Sequence, residues 1–244
     1  MANPSQRWTV ARLGTAQTLS WASSYYLPAM LAVPMARDLG VTAPTVFAAF
    51  SLALIVSALL GPLAGHAIDR HGGRPVLVST NLLFAASLAA MGLAQGPVGL
   101  FAAWVLMGVA MGSGLYEAAF ATLVRLYGNG ARGAITGITL IAGFASTVGW
   151  PLSAWMEVQW GWRGACFVWA GAHLLLCLPL YAAVLPDGRA GGHRPASGPV
   201  RWDGTMIRLA ILLAGAWWVA TAMSAHLPRL LTRLGLTAAE AIGE

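Results

Sequence analysis

Long apolar blocks alternate with short clusters that hold most of the charge. Residues 46–60 and 76–93 carry no charged side chain, and the stretch between them, Gly61–Pro75, reads GPLAGHAIDRHGGRP. A helix needs about 20 apolar residues to cross the hydrocarbon core of a bilayer. Seven blocks come close to or exceed that length: residues 10–36, 45–68, 75–93, 98–123, 133–156, 164–185 and 206–227. Confined between two such blocks, Asp69, Arg70, His71 and Arg74 must lie at a membrane surface. Gly72 and Gly73 let the chain turn sharply there, and Pro75 suits the first turn of the helix that follows. Gln95-Gly96-Pro97 and Tyr127-Gly128-Asn129-Gly130 mark further turns. Residues 186–203, rich in Pro, Gly and Arg, read as a hydrophilic linker.

Composition agrees with this pattern. The chain is 58% hydrophobic and 9% charged, with a mean hydropathy of +0.69, whereas a soluble domain carries about a quarter charged residues. Fourteen arginines and no lysine leave a net charge of +6. A basic balance points to nucleic acid when it forms a basic face on a soluble fold. Here the arginines lie in loops between spans, so the bilayer is the expected partner and nucleic acid is not. Arg7, Arg12, Arg70, Arg74, Arg125, Arg132, Arg189, Arg194, Arg201 and Arg208 fall on one side, and Arg37, Arg163, Arg229 and Arg233 on the other. The richer side is cytoplasmic by the positive-inside rule, which puts the N-terminus inside. Arginine beside abundant Ala and Gly points to a GC-rich bacterial genome, hence a multi-pass protein of the cell inner membrane. Cys166 and Cys177 share one predicted helix about 16 Å apart, beyond the roughly 7 Å a disulfide spans. No metalloprotease, nucleophile-elbow, phosphate-loop or metal-binding cysteine motif occurs. Neither an enzyme nor a cofactor or metal is expected. His66, His71, His173, His193 and His226 are scattered over loops and separate spans.

The Gly61–Pro75 stretch resembles the loop between the second and third helices in the major facilitator superfamily of secondary transporters. That pattern is Gly, three residues, Asp, Arg or Lys, any residue, Gly, then two basic residues. It reads here as Gly65, Asp69, Arg70, Gly72 and Arg74, with Gly73 in place of the first of the last basic pair. Gly161-Trp162-Arg163 resembles a tripeptide often seen before the family's sixth helix. Trp104 to Gly114 resembles a fourth-helix stretch that opens with arginine in many proton-coupled members, where Trp104 stands here. Gly143, Gly149 and Pro151 resemble a Gly-Pro-rich antiporter signature. Leu39-Gly40-Val41-Thr42-Ala43 is echoed by Leu234-Gly235-Leu236-Thr237-Ala238, which makes the seventh span the counterpart of the first.

The resemblance implies an all-α membrane protein, a six-helix bundle plus a seventh transmembrane helix. Residues 1–185 would form the six-helix domain, 186–205 a cytoplasmic linker and 206–244 the first helix of a second domain. The remaining C-terminal half would lie outside this chain, which alone is expected not to transport. The implied function is secondary active transport of a small solute by alternating access, with efflux favoured and proton coupling in view. Solute uptake by symport, or a truncated non-transporting membrane fragment, are the alternatives.

Within the spans one acid draws notice. Glu117 lies eight residues before Arg125, about 12 Å into the membrane, where an acid costs roughly 2.5–3.5 kcal/mol unless it meets water, a partner or a proton. Either it binds substrate or a coupling ion, or it is a neutral residue packed on a neighbouring helix. Tyr116 shares its face. Gln17, Ser20 and Ser24 form a polar stripe on the first span beside Tyr25. The stripe serves substrate contact or interhelical hydrogen bonding. In the family, helices one, four and seven line the cavity. By resemblance, Asp69, Arg70 and Arg74, with Gly65 and Gly72, would form a latch between conformations. Gln17, Ser24, Tyr25, Tyr116 and Glu117 would meet substrate or ion.

Overall fold

The computed structural model describes residues 4–184 and 203–235, and every regular element in them is helical. Two compact units divide the chain, the second beginning at Arg194. In the first lie α1 Pro4–Ser23, α2 Leu27–Asp38, α3 Ala43–His71, α4 Gly73–Leu93, α5 Pro97–Gly114, α6 Tyr116–Tyr127, α7 Ala131–Ala142, α8 Ala145–Ala172 and α9 Leu178–Val184. A π-helical turn, His173–Cys177, joins α8 to α9. The second unit contributes α10, Gly204–Arg233, whose Asp203 side chain caps the start by accepting from the Met206 N–H at 2.8 Å. Most of the expected linker and residues 236–238 of the repeat lie outside the described residues.

Several spans expected as continuous helices are broken. The first is α1 plus α2, because Pro28 lacks an N–H and its ring crowds the carbonyl four residues back. The backbone turns at Ser24–Tyr26, where Tyr26 N–H reaches Trp21 O at 3.1 Å. The fourth is α5 plus α6, parted at Leu115 (φ −83°, ψ −158°) after the weak helix formers Gly112-Ser113-Gly114. The fifth is α7 and the first part of α8, parted at Gly143-Phe144. Within α8 the backbone leaves the helix at Gly161 (φ 68°, ψ 172°), which separates the fifth span from the sixth. That left-handed φ is one glycine adopts without strain. Four stretches of the described residues are long and apolar enough to cross a membrane: Ala43–His71, Gly73–Leu93, Pro97–Ala183, which holds several turns, and Gly204–Met223.

Packing follows from small residues. A Cβ on Gly108 would come within 2.5 Å of Ala53 O and one on Gly112 within 2.6 Å of Ser57 O. The backbones of α3 and α5 therefore touch, as small residues four apart permit. Gly61 and Gly65, spaced the same way, face open space instead.

Two apolar clusters form the core. One gathers Trp21, Leu31, Phe50, Phe84, Trp104, Met107 and Trp169, the other Leu13, Ile68, Leu77, Ala118, Ile138 and Cys177. Between them, on each helix in turn, sit buried polar groups: Gln17, Ser20 and Ser23 on α1, Thr80 and Asn81 on α4, and His173. Of these, Ser23 ends α1 at the first break.

Candidate functional site at the helix breaks

Glu117 stands in the first turn of α6, just past the break at Leu115. The unpaired N–H groups of a helix start favour a negative charge there. Its side chain is exposed, and among the described residues it makes no hydrogen bond or ion pair. Tyr116, half-buried beside it, stacks on Phe120 at 5.1 Å with ring planes 10° apart. From Tyr116 a connected array of rings runs inward. Trp21 lies 4.7 Å away and Tyr25 5.1 Å beyond it. Tyr25 meets Phe50 edge-on at 5.8 Å, and Phe50 meets Trp104 at 5.3 Å. Tyr26 continues from Tyr25 to Trp150. The array joins α1, α3, α5, α6 and α8, and its centre is the α1–α2 break.

The polar stripe of the first span points into the bundle. Gln17 is fully buried and donates to Gly114 O at 2.7 Å, a carbonyl freed by the α5–α6 break, and to the Tyr181 hydroxyl at 3.0 Å. Ser24, also fully buried, donates to Ser20 O at 2.6 Å. Both are thus engaged by protein groups, and Gln17 ties the first span to the fourth and sixth. Tyr25 is buried at the centre of the ring array.

At the opposite end, the stretch Gly65–Arg74 is helical except at Gly72, which alone separates α3 from α4, and the junction is built around Arg125 rather than around its own acid. The Arg125 guanidinium donates to Ile68 O at 3.1 Å and to Asp69 O, capping the last turn of α3. Cations at a helix C-terminus are favoured by its partial negative charge. The Asp69 carboxylate and Arg70 are exposed and make no ion pair among the described residues. Gly72 takes φ 92° at the turn, and Gly65 faces open space. Arg74 is half-buried just inside the start of α4.

Three sets of residues carry interactions that the sequence left unassigned. Asp38 Oδ2 accepts from Trp162 Nε1 and Arg163 Nε, each at 3.1 Å, and Arg163 Nη2 stands 3.0 Å from the same oxygen. Arg163 Nη1 also donates to Gly92 O at 2.7 Å and Ala94 O at 2.6 Å. One arginine therefore clasps the ends of α2 and α4 to α8. Arg125 is the second set. The third is His173, bridging Ser23 and Asn81 at 2.8 Å on either ring nitrogen. Only the coincidence of isolated polar residues in otherwise apolar spans hinted at it.

The sequence profile described as Major Facilitator Superfamily matches residues 13–243. A protein called Multidrug resistance protein MdtH from Cronobacter sakazakii is 30% identical over 206 residues, covering 82% of this chain and 50% of its own. One called Transcription regulatory protein OpdE from Pseudomonas aeruginosa is 29% identical over 185 residues, covering 73% and 44%. Among solved structures, tetrameric PepTSo2 superposes with a TM-score of 0.60 at 17% identity, over 94% of this chain and 51% of that one. The chain spans about half the length of the curated relatives it matches. With the profile match running through nearly its whole length, the chain belongs to the Major Facilitator Superfamily.

Proposed function

We propose that the chain serves secondary active transport of a small solute by alternating access, in the export direction. The exposed face of α6 forms one wall of the substrate path. The observation that carries this reading is Glu117, an exposed carboxylate without a partner among the described residues, beside stacked rings where the fourth span breaks. An apolar span tolerates such a group when it meets water or a ligand during the cycle. Discontinuous helices near the midplane are the usual site of solute binding in transporters. The name of the MdtH relatives supports efflux.

The chemistry narrows the solute. A carboxylate offsets a positive charge, and the faces of Tyr116 and Phe120 attract a cation by about 0.5–2 kcal/mol. A flat organic cation suits both. Gln17, Ser24 and Tyr25 hold the helices and rings that form the floor of this path. Asp69, Arg70 and Arg74 act at the cytoplasmic ends of the helices, where a charge contact made in only one conformation shifts the balance between them. The arginine distribution supports an N-terminus that faces the cytoplasm.

Ethidium efflux from cells expressing the whole gene product tests the reading. Glu117→Gln keeps the shape and removes the charge, and is expected to slow ethidium efflux at least tenfold at equal protein level in the membrane. Efflux at the parental rate would remove Glu117 from the path and the organic-cation reading with it.

A further inference from the structure

The buried histidine is the least expected group in the first unit. His173 opens the π-helical turn and has no solvent exposure. Asn81 donates through its amide nitrogen to Leu77 O at 3.2 Å, so its oxygen is the atom that faces the ring. His173 Nδ1 lies 2.8 Å from that oxygen and must carry a proton. On the other side, Nε2 lies 2.8 Å from the Ser23 hydroxyl. Ser23 is the last residue of α1, at the break beside Trp21 and Tyr25, and Ser20 O lies 3.4 Å from its hydroxyl as a second acceptor. Phe84 stacks on the ring, centroids 4.8 Å apart and planes 13° from parallel.

This set of partners serves both states of the imidazole. With the ring neutral, Ser23 O–H donates to Nε2. With the ring charged, Nε2–H donates to Ser23 Oγ, and the serine proton turns to Ser20 O. Nδ1–H keeps Asn81 throughout, and the Phe84 face accommodates the charge. No heavy atom needs to move and no N–H is left unsatisfied. The π turn, in which His173 O accepts from Leu178 N–H five residues on, is a geometry frequent at functional sites. The elements packed against the turn are α1, α4, α8 and α9. Their charged groups are Arg7 and Arg12, Arg74, and Glu157 and Arg163, with no charged group on α9. Measured along the helices, Arg74 is about 10 Å from Asn81, Arg163 about 15 Å from His173 and Arg12 about 16 Å from Ser23. The other titratable groups are Cys177 on the turn itself, Cys166 on α8 and Tyr181 on α9.

We propose that His173, held between Ser23 and Asn81, is a proton-binding site inside the first unit, and that its charge state is passed through Ser23 to the break in α1. A proton arriving at Nε2 turns Ser23 from donor to acceptor. That redirects the one side-chain hydrogen bond by which the end of α1 holds His173. The site is separate from Glu117, and its test needs no substrate, so it stands or falls independently of the transport reading.

The test is a pH titration of this chain in lipid nanodiscs, read by ¹⁵N NMR of the histidine rings, with the His173 signals assigned from their loss in His173→Gln. The expected result is an Nδ1–H ring at high pH that takes up one proton reversibly as the pH is lowered, while circular dichroism shows the helices intact. Ser23→Ala removes the partner of Nε2 and is expected to move that midpoint by at least one pH unit. Protection of the backbone amides at residues 22–27, taken relative to their intrinsic exchange rate at each pH, should change at the parental midpoint and show no such step in His173→Gln. A His173 ring fixed in one state while the other histidines titrate would overturn the proposal. So would a midpoint indifferent to Ser23→Ala.

Discussion

Gly73 stands where the loop pattern has a basic residue, and packing gives the reason. A Cβ there would overlap the Thr122 side chain of α6, so α4 begins against a surface that leaves room only for hydrogen. Gly73→Ala is expected to destabilise the helical unit by about 1–3 kcal/mol, the usual range for overpacking. Thr122→Gly on the same background should recover most of the loss. Thermal unfolding in detergent checks this, and an unchanged Tm for Gly73→Ala would contradict the close approach. The departure from the pattern was legible in the sequence, but its cause was not, because Thr122 is 49 residues away in the chain. Glu117 was legible as the lone acid of its span. The direction of Gln17 and Ser24 was not: a polar stripe marks a face that avoids lipid, without distinguishing a water-filled path from a neighbouring helix. Gln17 bonds across to Gly114 O and Tyr181, while Ser24 bonds back to Ser20 O in its own span.

At the scale of elements, the ends of the helices are held by arginines that reach carbonyls. Arg125 caps α3, and Arg163 joins α2, α4 and α8 through Asp38, Gly92 O and Ala94 O. The Asp38–Arg163 pair is partly exposed, 49% and 36%, so its ionic part is worth little, and the two bonds to carbonyls matter more. Arg163→Ala is expected to cost about 1–3 kcal/mol in unfolding free energy, with Arg163→Lys intermediate because an ammonium cannot fork to three partners. Stability of Arg163→Ala equal to the parent would show that the clasp is idle. Helix existence and the turns near Gly96 and Gly128 were readable from apolar length and glycine, whereas the stretch read as the loop after the second span is helical through His71. The breaks in the first, fourth and fifth spans were not. Pro28 and the Gly112–Gly114 run each lower helix preference locally, but apolar length sets only a total. Whether a span bends, breaks or stays straight is decided by what its freed carbonyls can find, as Gly114 O finds Gln17.

At the scale of the whole molecule, two apolar clusters enclose a thin polar layer, and that layer ties together the helices that break. The broken helices lie beside an exposed acid, and the family to which the chain belongs is one of transporters. Whether Glu117 meets water or lipid decides the reading. Cys166 and Cys177 are buried, so a cysteine placed at Glu117 has little native background. The measurement is labelling of Glu117→Cys by a membrane-impermeant, charged thiol reagent, in membrane vesicles from cells expressing the whole gene product. A water-accessible substrate path predicts rapid labelling that ethidium slows several-fold. A cysteine that this reagent does not label, while a lipid-soluble maleimide does, would place Glu117 against the bilayer and contradict the site.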